Sequence, residues 1–272
     1  MSLPNSSYLV SVGQLRYIQA HCEPADSRNP DALVGAFLSA RERLAGRLRG
    51  ALRLRRLRAN PFYHYLVART RYYDQLFVDA VREGVACIVN IGCGTDTRAY
   101  RFAHLLEPRG ITVLECDQPQ AISAKRGMAA RRFRTRHVRY VPLDLNSSAW
   151  SGFAAALAEA PSGRAFVMME GVSPYIDKPR FEAFLRLLAA RLRSGSVLAY
   201  DFKIEGVADD FGRSAAVPQP FRVARERDAV AAYHYALGFR LQHLETSASL
   251  TRRLLPHAPR LDQEDCLACL TC

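Results

Sequence analysis

This 272-residue sequence has no long apolar run, and we expect no secretory leader at its start. No uninterrupted apolar stretch approaches the roughly 20 residues that a membrane-spanning helix needs. The first ten residues lack the basic region, apolar block and small-residue cleavage site of a signal peptide. Hydrophobic residues nevertheless make up 49% of the chain, which is enough for a sizeable core. We therefore expect a cytoplasmic globular protein that does not enter a membrane.

The cysteines are scattered along the sequence, apart from one group near the C-terminus. Seven cysteines occur, and three of them form the tail Cys266-x-x-Cys269-x-x-Cys272. That spacing resembles part of a zinc or redox site, but a structural zinc site requires a fourth ligand that the neighbouring sequence does not supply. We therefore expect no metal, and we interpret the tail as an exposed terminal segment with reducible thiols.

Acidic residues are fewer than basic ones, at 26 against 38, and the net charge is +12. The excess is concentrated between Arg41 and Arg58, where eight arginines accompany one glutamate. Leu44, Leu48 and Leu52 recur there at four-residue spacing, so we expect an amphipathic helix with a solvated basic face. RNA, an acidic carrier protein and a membrane surface are alternative partners for such a face. A nucleic-acid partner is disfavoured, because the sequence has no signature of a nucleic-acid-binding module.

From about residue 85 onward, short apolar runs alternate with longer amphipathic ones. The runs that we predict as strands are 87–91, 112–116, 138–142, 166–169 and 196–200, with an edge strand at 239–244. The predicted helices between them include 119–132 and 180–193. Such an alternation predicts an α/β fold with a mostly parallel sheet.

The first 84 residues have mostly helical patterns. We expect them to form a helical cap over the carboxyl edge of the sheet, where open α/β sheets bind their ligands. The predicted organisation is one integrated domain, with a cap over 1–84 and an α/β core over 85–272.

A glycine turn follows the first predicted strand. Gly92 and Gly94 allow the backbone to pass close to a ligand, because neither residue carries a Cβ atom. The dinucleotide-binding pattern requires a third glycine three residues later, and Thr97 occupies that position. The turn therefore disfavours a dehydrogenase and is typical of another nucleotide-type ligand.

Acidic side chains follow the next two strands. Glu115 and Asp117 end the second strand about twenty residues after the turn, where a carboxylate commonly takes the ribose hydroxyls of a bound nucleoside. Asp144 and Leu145 follow the third strand, where they offer a polar group and an apolar wall to an adenine ring. The turn and these side chains together predict a nucleoside pocket.

These residues resemble the leucine carboxyl methyltransferase family, in particular its bacterial branch of polyketide-type O-methyltransferases. The matching motifs are Val89-Asn90-Ile91-Gly92-Cys93-Gly94-Thr95-Asp96-Thr97-Arg98, Ala68-Arg69-Thr70-Arg71, Asp117-Gln118-Pro119, Pro142-Leu143-Asp144-Leu145 and Glu170-Gly171-Val172-Ser173-Pro174-Tyr175. The resemblance extends over residues 28–202. It implies a Rossmann-like class I methyltransferase fold and S-adenosyl-L-methionine (SAM) as cofactor.

The resemblance also implies roles at matching positions, beginning with the amino-acid and ribose ends of SAM. Arg69 would pair with the SAM carboxylate, and Glu170 would take its amino group. Gly92 and Gly94 would line the methionine and ribose portion, and Asp117 would hold the ribose.

At the other end of the pocket, Asp144 and Leu145 would contact adenine. Tyr175 would lie near the transferred group, as the catalytic residue. For the arginines that follow the glycine turn, Arg98 and Arg101, a salt-bridge scaffold with Asp96 or Glu107 is at least as good an explanation as ligand contact.

The resemblance implies methyl transfer to a small-molecule acceptor. A carboxylate acceptor is already ionised at neutral pH and needs no base, which suits a sequence without an obvious catalytic dyad. We therefore expect O-methylation of the carboxylate of a small natural-product-type acid in secondary metabolism.

Two alternatives stay open. One is an azetidine-2-carboxylate synthase, a type of enzyme that resembles this family and cyclises SAM with release of methylthioadenosine. Tyr63, Tyr65, Tyr72, Tyr73 and Tyr175 offer aromatic faces for its sulfonium. The other is a non-enzyme that binds SAM or associates with RNA. The sequence leaves the oligomeric state undetermined.

Overall fold

The computed structural model describes residues 11–147, 149–206, 217–260 and 265–272. The first ten residues, in which we predict no secretory signal, lie outside the described residues. The helices of the described chain are α1 (Val12–Cys22), α2 (Ala40–Arg58), α3 (Pro61–Arg82), α4 (Arg98–Arg101), α5 (Ala103–Leu106), α6 (Pro119–Ala130), α7 (Ser151–Ala158), α8 (Lys178–Arg191), α9 (Arg227–Tyr235) and α10 (Ser247–Leu254). Its strands are β1 (Cys87–Ile91), β2 (Thr112–Asp117), β3 (Val138–Pro142), β4 (Ala165–Met169), β5 (Val197–Ile204), β6 (Arg222–Val223), β7 (Arg240–Thr246) and β8 (Asp265–Thr271).

The strands form one mostly parallel sheet, which confirms the predicted α/β fold. Along the sheet the order is β3-β2-β1-β4-β5-β8-β7, and β6 pairs with β5 beside this path. The five strands from β3 to β5 run parallel, whereas β8 lies antiparallel between β5 and β7. Because the strand order reverses between β1 and β4, the loops that follow these two strands diverge and leave a crevice at the carboxyl edge.

Helices cover both faces of the sheet. Ile88 and Phe166 contribute to a core shared with α3 and α10, whereas Val89 and Val167 contribute to a second core shared with α7, α8 and α9. Successive strand residues point to opposite faces, so a strand covered on both sides requires a continuous apolar run. For this reason β1 and β4 are buried at every position.

The predicted elements agree with the structure to within a few residues for most of the core. The edge strand predicted at 239–244 is β7, and the helices predicted at 119–132 and 180–193 are α6 and α8. The sequence analysis did not identify α7 or α10. Of the helices in the described ranges, none is both long and apolar enough to cross a membrane.

The N-terminal helices take up two different positions. Helix α1 contacts the glycine turn, since a Cβ atom on Gly13 would lie 2.9 Å from the Oγ1 atom of Thr95. Helix α3 packs against the face of the sheet, where Tyr73 and Phe77 are completely buried. A boundary between cap and core at residue 84 stays a prediction.

Helix α2 is the predicted basic helix, but its three leucines at four-residue spacing do not point inward. Leu44, Leu48 and Leu52 are 60%, 55% and 81% exposed. The buried positions of the helix are Gly46 and Gly50, which lie against α1. A Cβ atom on Gly50 would lie 2.5 Å from the sulfur of Cys22, so the two helices pack more closely than leucines would allow.

Two of the three C-terminal cysteines lie in an interior strand of the sheet, and the prediction of an exposed tail is wrong. Cys266 and Cys269 belong to β8 and are buried, and the strand pairs with β5 on one side and β7 on the other. Residues three apart on a strand point to opposite faces, so these two thiols cannot bind the same metal ion. The near-continuous apolar run that contains them is typical of a buried strand. The described part of the chain contains no group of three or more residues suited to metal binding.

Candidate active site

The glycine turn after β1 folds back over the end of β2. The amides of Gly92 and Cys93 both donate to the carbonyl of Cys116, at 2.8 and 3.1 Å. Gly92 has a φ of +67°, and a Cβ atom there would overlap the Cγ2 atom of Val172. Any other residue at this position would be strained and would push against the segment that follows β4.

Asp117, the last residue of β2, caps this turn. Its Oδ2 accepts a hydrogen bond from the amide of Gly94 and its Oδ1 from the amide of Gln118, both at 2.7 Å. Each carboxylate oxygen has a second lone pair, so the group can still accept hydrogen bonds from ligand hydroxyls. Glu115, the other member of the predicted acidic pair, is completely buried and pairs with Lys125. Asp117 alone of the two lies at the turn.

A cavity of about 230 Å³ opens beside Asp117 at the carboxyl edge of the sheet. It brings together five of the predicted site residues: Gly92, Asp117, Asp144, Leu145 and Tyr175. The rest of its wall consists of Ile91, Gln118, Leu143, Asn146, Gly171, Val172 and Ile176. Apolar walls with a few polar groups are typical of a site for a small organic ligand.

Tyr175 lies at the rim of this cavity with 44% of its surface exposed. Its backbone carbonyl accepts a hydrogen bond from Nδ2 of Asn146 at 3.2 Å. Tyr65 and Tyr73 are buried instead, and the guanidinium carbons of Arg69 and Arg98 lie 5.4 and 5.7 Å from their ring centres. The cation–π faces of these two tyrosines are therefore occupied by cations of the protein itself.

Arg69 and Glu170, two further predicted site residues, are paired with each other below the cavity. Nε of Arg69 donates to Oε1 of Glu170 at 3.1 Å, and Nη1 donates to Oδ2 of Asp201 at 3.0 Å. The second oxygen of Asp201 accepts from the amide of Gly171 at 2.6 Å. The side chains of Arg69, Glu170 and Asp201 are all more than nine-tenths buried.

Arg98 and Arg101 form the expected scaffold of salt bridges. Arg98 pairs with Asp96, and its Nε and Nη1 atoms donate to Asp74 at 2.7 Å and to Glu170 at 2.9 Å. Arg101 makes two further hydrogen bonds to Asp74, both at 2.7 Å.

Glu107 was the other expected partner of these arginines, but among the described residues it forms no salt bridge with Arg98 or Arg101. Glu107 lies 3.2 Å from Nδ1 of His137, because the helical turns after Arg101 carry it toward the opposite edge of the sheet.

The arginines keep two buried carboxylates ionised. Burial alone would raise the pKa of Asp96, but the guanidinium of Arg98, helped by that of Arg16, holds it well below its usual range. Burial likewise opposes ionisation of Glu170, yet Arg98, Arg69 and Arg16 together lower its pKa. Both carboxylates are therefore negatively charged at neutral pH.

Asp201 behaves differently. Burial raises its pKa to about 6, and the neighbouring Asp265 and Glu170 act in the same direction against the opposing effect of Arg69. This carboxylate is therefore ionised at neutral pH and takes up a proton in mildly acidic solution.

These groups belong to one continuous buried network of four arginines and five carboxylates. Its members are Arg16, Arg69, Arg98, Arg101, Asp31, Asp74, Asp96, Glu170 and Asp201. With every group ionised, the carboxylates exceed the arginines by one, so the network carries one net negative charge. A site built on such a network favours a ligand with net positive charge.

Several members of this network were not predicted from the sequence. Asp201 is the clearest case, because it lies in β5 immediately after the strand predicted at 196–200. A carboxylate at the carboxyl edge of a parallel strand faces the same crevice as Asp117 and Glu170, and this signal could have identified it. Asp31 and Asp74 precede the first strand and end no strand of the sheet, so they carry no such signal.

A larger depression, of about 890 Å³, lies elsewhere. Thr112, Arg136 and His137 contribute to its wall, so it opens at the amino ends of β2 and β3. Open α/β sheets bind ligands at the carboxyl ends of their strands. We therefore place the candidate site in the smaller cavity beside the glycine turn.

Comparison with known proteins finds one matching family and several relatives. The model of the leucine carboxyl methyltransferase family matches residues 14–189. A protein of Mycobacterium avium named "Putative S-adenosyl-L-methionine-dependent methyltransferase" is 30% identical over 217 residues, which cover 74% of this chain and 69% of that protein. A relative of the same name from Mycobacteroides abscessus is 33% identical over 62% of this chain and 54% of its own length.

Two solved structures are also similar to this chain. Magnesium protoporphyrin IX methyltransferase (ChlM) from Synechocystis, solved with bound SAH, has a TM-score of 0.46 at 11% identity, over 76% of this chain and 85% of its own. TehB from Haemophilus influenzae has a TM-score of 0.45 at 12% identity, over 71% of this chain and 60% of its own.

Proposed function

The chain belongs to the leucine carboxyl methyltransferase family and is a SAM-dependent methyltransferase, and on that premise we propose that it methylates the carboxylate of a small organic acid. The observation that carries this proposal is the set of side chains around the cavity. Among the described residues that line it, the titratable groups are Asp117, Asp144 and Tyr175, without any histidine, lysine or cysteine. An acceptor hydroxyl has to lose a proton and needs a base, whereas a carboxylate is already ionised.

The charge of the buried network fits SAM. At neutral pH SAM carries one net positive charge, because its sulfonium and ammonium outnumber its single carboxylate. The network below the cavity has one negative charge in excess. When bound, SAM supplies a methyl group on a sulfonium, which an oxygen nucleophile can displace.

Different residues around the cavity bind different parts of SAM. Asp117 accepts hydrogen bonds from the ribose hydroxyls through the lone pairs that the amides of Gly94 and Gln118 leave free. Gly92 contributes the backbone of the turn to the wall of the cavity, against the methionine and ribose portion of SAM. Asp144 and Leu145 border the adenine ring.

Glu170 and Tyr175 act toward the reacting end. Glu170 belongs to the buried network and directly precedes Gly171 in the cavity wall, and its carboxylate, held ionised by Arg98 and Arg69, attracts the ammonium group. Tyr175, at the rim, donates a hydrogen bond that orients the acceptor carboxylate. These residues contribute alignment and exclusion of water, which are the main sources of acceleration in a displacement reaction.

The biological setting is part of the same proposal. We place the enzyme in the cytoplasm, and we assign its acceptor to the small natural-product-type acids of secondary metabolism.

The test is incubation of the enzyme with SAM and one acceptor at a time, followed by mass spectrometry. Matched acceptors of one carbon skeleton, such as benzoic acid, benzyl alcohol and benzamide, and hexanoic acid, hexanol and hexanamide, isolate the effect of the carboxylate. We expect S-adenosylhomocysteine and a methyl ester to form in equal amounts, and with the acids alone. Asp117→Ala serves as the matched variant with a defective pocket.

Two results would contradict the proposal. Methylation of the alcohols in preference to the acids would require a base and a different acceptor class. Formation of methylthioadenosine and azetidine-2-carboxylate from SAM alone would identify cyclisation, the alternative that the sequence left open, as the activity.

A further inference from the structure

Helix α2 presents a stripe of leucines to solvent. Leu44, Leu48 and Leu52, the leucine stripe, are each more than half exposed, and they are three of the six large hydrophobic side chains that are exposed in the described part of the chain. A helix turns by about 100° per residue, so residues four apart lie roughly 40° from each other around its axis and form one ridge. Gly46 and Gly50, on the other side, pack against α1. Contiguous apolar side chains on a surface mark an interaction site, whereas single ones are ordinary.

Unpaired arginines border the leucine stripe. Arg41 and Arg55 lie on the same side of the helix, one before the stripe and one after it, and Arg56 lies on its flank. All three are exposed, and none has a hydrogen bond or an ion pair with any residue in the described ranges. Arg47 differs, because its Nε donates to the hydroxyl of Tyr17 at 3.0 Å. The face therefore combines apolar side chains with cations that the protein itself does not neutralise.

The composition of the helix favours a partner without a fixed shape. From residue 43 to residue 58 it contains only arginine, leucine, alanine and glycine. Specific protein interfaces rely on aromatic anchors and matched polar groups, and this stretch has no aromatic ring and no uncharged hydrogen-bonding side chain. An anionic lipid surface requires neither, since apolar area and positive charge suffice to bind it.

Two other occupants fit the face poorly. A second copy of this chain would bring the eight arginines of one α2 helix against the eight of another, and like charges repel. A nucleic acid would meet the arginines with its phosphates, but the leucine stripe would then lie against charged groups instead of an apolar phase.

We propose that α2 docks the protein on an anionic membrane surface. The leucine stripe lies among the headgroups at the edge of the acyl chains, and Arg41, Arg55 and Arg56 pair with lipid phosphates. The helix lies parallel to the surface and does not cross it, because its opposite side stays packed on α1. This inference goes beyond the proposed function and does not depend on the identity of the acceptor.

The test is sedimentation of the full chain with vesicles of phosphatidylcholine alone, or of equal parts of phosphatidylcholine and phosphatidylglycerol. We expect the partition coefficient to be at least tenfold larger on the anionic vesicles, because each arginine near such a surface contributes about fivefold. Binding should weaken as salt is added, since salt screens the arginines.

One pair of variants tests the leucines without changing the charge. Leu48→Gln/Leu52→Gln keeps every arginine and a similar helix propensity, and it should lower binding to the anionic vesicles at least tenfold. Its control is Tyr235→Gln on α9, which removes another exposed hydrophobic side chain. Binding of this control should stay within about twofold of the wild type.

A second pair tests the position of the charge. Arg55→Gln/Arg56→Gln removes two charges beside the leucine stripe and should lower binding at least tenfold. Arg191→Gln/Arg193→Gln removes two exposed arginines at the end of α8, on the opposite face of the sheet from α3, and should lower it less than about threefold. All four variants change exposed side chains, so their circular dichroism should match that of the wild type.

Several outcomes would overturn the proposal. Wild-type protein that ignores the anionic vesicles, or binds phosphatidylcholine equally well, has no such docking surface. Unchanged binding of Leu48→Gln/Leu52→Gln, or equal losses in the two arginine variants, would leave only general attraction between a basic protein and an anionic surface. Poly-L-glutamate and polyuridylic acid serve as soluble polyanions, and binding to either that depends on Leu48 and Leu52 would assign the face to an acidic protein or to RNA.

Discussion

Arg69 and Asp201 meet across 132 residues of sequence, with Nη1 of the arginine donating to Oδ2 of the carboxylate at 3.0 Å. The contact joins α3 to β5 directly below the segment that follows β4. Both side chains are buried, so water cannot solvate either charge if its partner is removed. The architecture of the site therefore depends on pairs between elements that are remote in sequence.

We expect Arg69→Gln to lower the free energy of unfolding by about 3–5 kcal/mol, because it leaves Glu170 and Asp201 buried without their shared cation. Arg82→Gln is the matched control on the same helix. Arg82 is 72% exposed and pairs with Asp79 on the surface, so its loss should cost less than about 1 kcal/mol. Urea denaturation measures both, and equal effects would contradict the structural role given to Arg69.

Affinity for SAM should fall as the pH drops through about 6. Burial raises the pKa of Asp201 from 3.8 to about 6, so the folded protein binds this proton more tightly than the unfolded chain does. Protonation of Asp201 at lower pH therefore stabilises the folded protein. It also removes the excess negative charge of the buried network, which attracts SAM. The charges of SAM itself stay constant between pH 5 and 7.

The measurement is calorimetric titration of SAM across that interval, with the wild type and Asp201→Asn in parallel. The groups that face Asp201 are Arg69, Glu170 and Asp265, and the variant leaves all of them in place. We expect the difference between the two proteins to disappear below pH 6. Parallel curves at every pH would exclude Asp201 as the titrating group.

Gly92→Ala should weaken both the fold and SAM binding. The positive φ alone costs a residue with a Cβ atom about 1–2 kcal/mol, and the overlap with Val172 adds to it. Gly127→Ala is the control, because Gly127 lies in α6 with open space around it, and alanine should stabilise that helix by about 0.5–1 kcal/mol. Thermal unfolding should show a lower melting temperature for Gly92→Ala and a higher one for Gly127→Ala. The double variant Gly92→Ala/Val172→Ala should recover part of the loss.

Thiol reactivity should separate the cysteines by position. Cys22 and Cys272 are partly exposed, and the other five are buried. Burial raises the pKa of Cys269 to about 11, which suppresses the reactive thiolate. An aromatic disulfide reagent should therefore modify two thiols in the native protein and the remaining five only on unfolding. Because these thiols hold no metal ion in this arrangement, a chelator should leave the melting temperature unchanged. Fast reaction in native protein that disappears in Cys269→Ser would contradict the position of β8 between β5 and β7.

The parallel part of the fold was predictable because its strands are covered on both faces. Residues such as Val89 and Val167 lie in continuous apolar runs, and a chain that buries two faces has no alternative to such runs. The sequence could place Gly92 and Asp117 near each other for a related reason. Gly92 follows β1 directly and Asp117 ends β2, and the carboxyl ends of parallel strands converge on one edge.

The rest depends on contacts that no local pattern encodes. The regular spacing of Leu44, Leu48 and Leu52 predicts a helix correctly, but the close approach of Gly46 and Gly50 to α1 decides which face is buried. The spacing of the C-terminal cysteines resembles part of a metal-binding motif. For this reason the apolar run that contains them was not interpreted as the strand β8. Asp74 and Asp31 enter the site only because tertiary packing brings α3 and the N-terminal segment to Arg98 and Arg101.

The place of β8 in the sheet has a consequence during biosynthesis. A ribosome releases β7 before β8, although β8 must lie between β7 and β5. Until the seven residues of β8 emerge, β5 and β7 each present an unpaired edge to other nascent chains. Chains stalled at this stage are the ones that a chaperone would have to shield from aggregation.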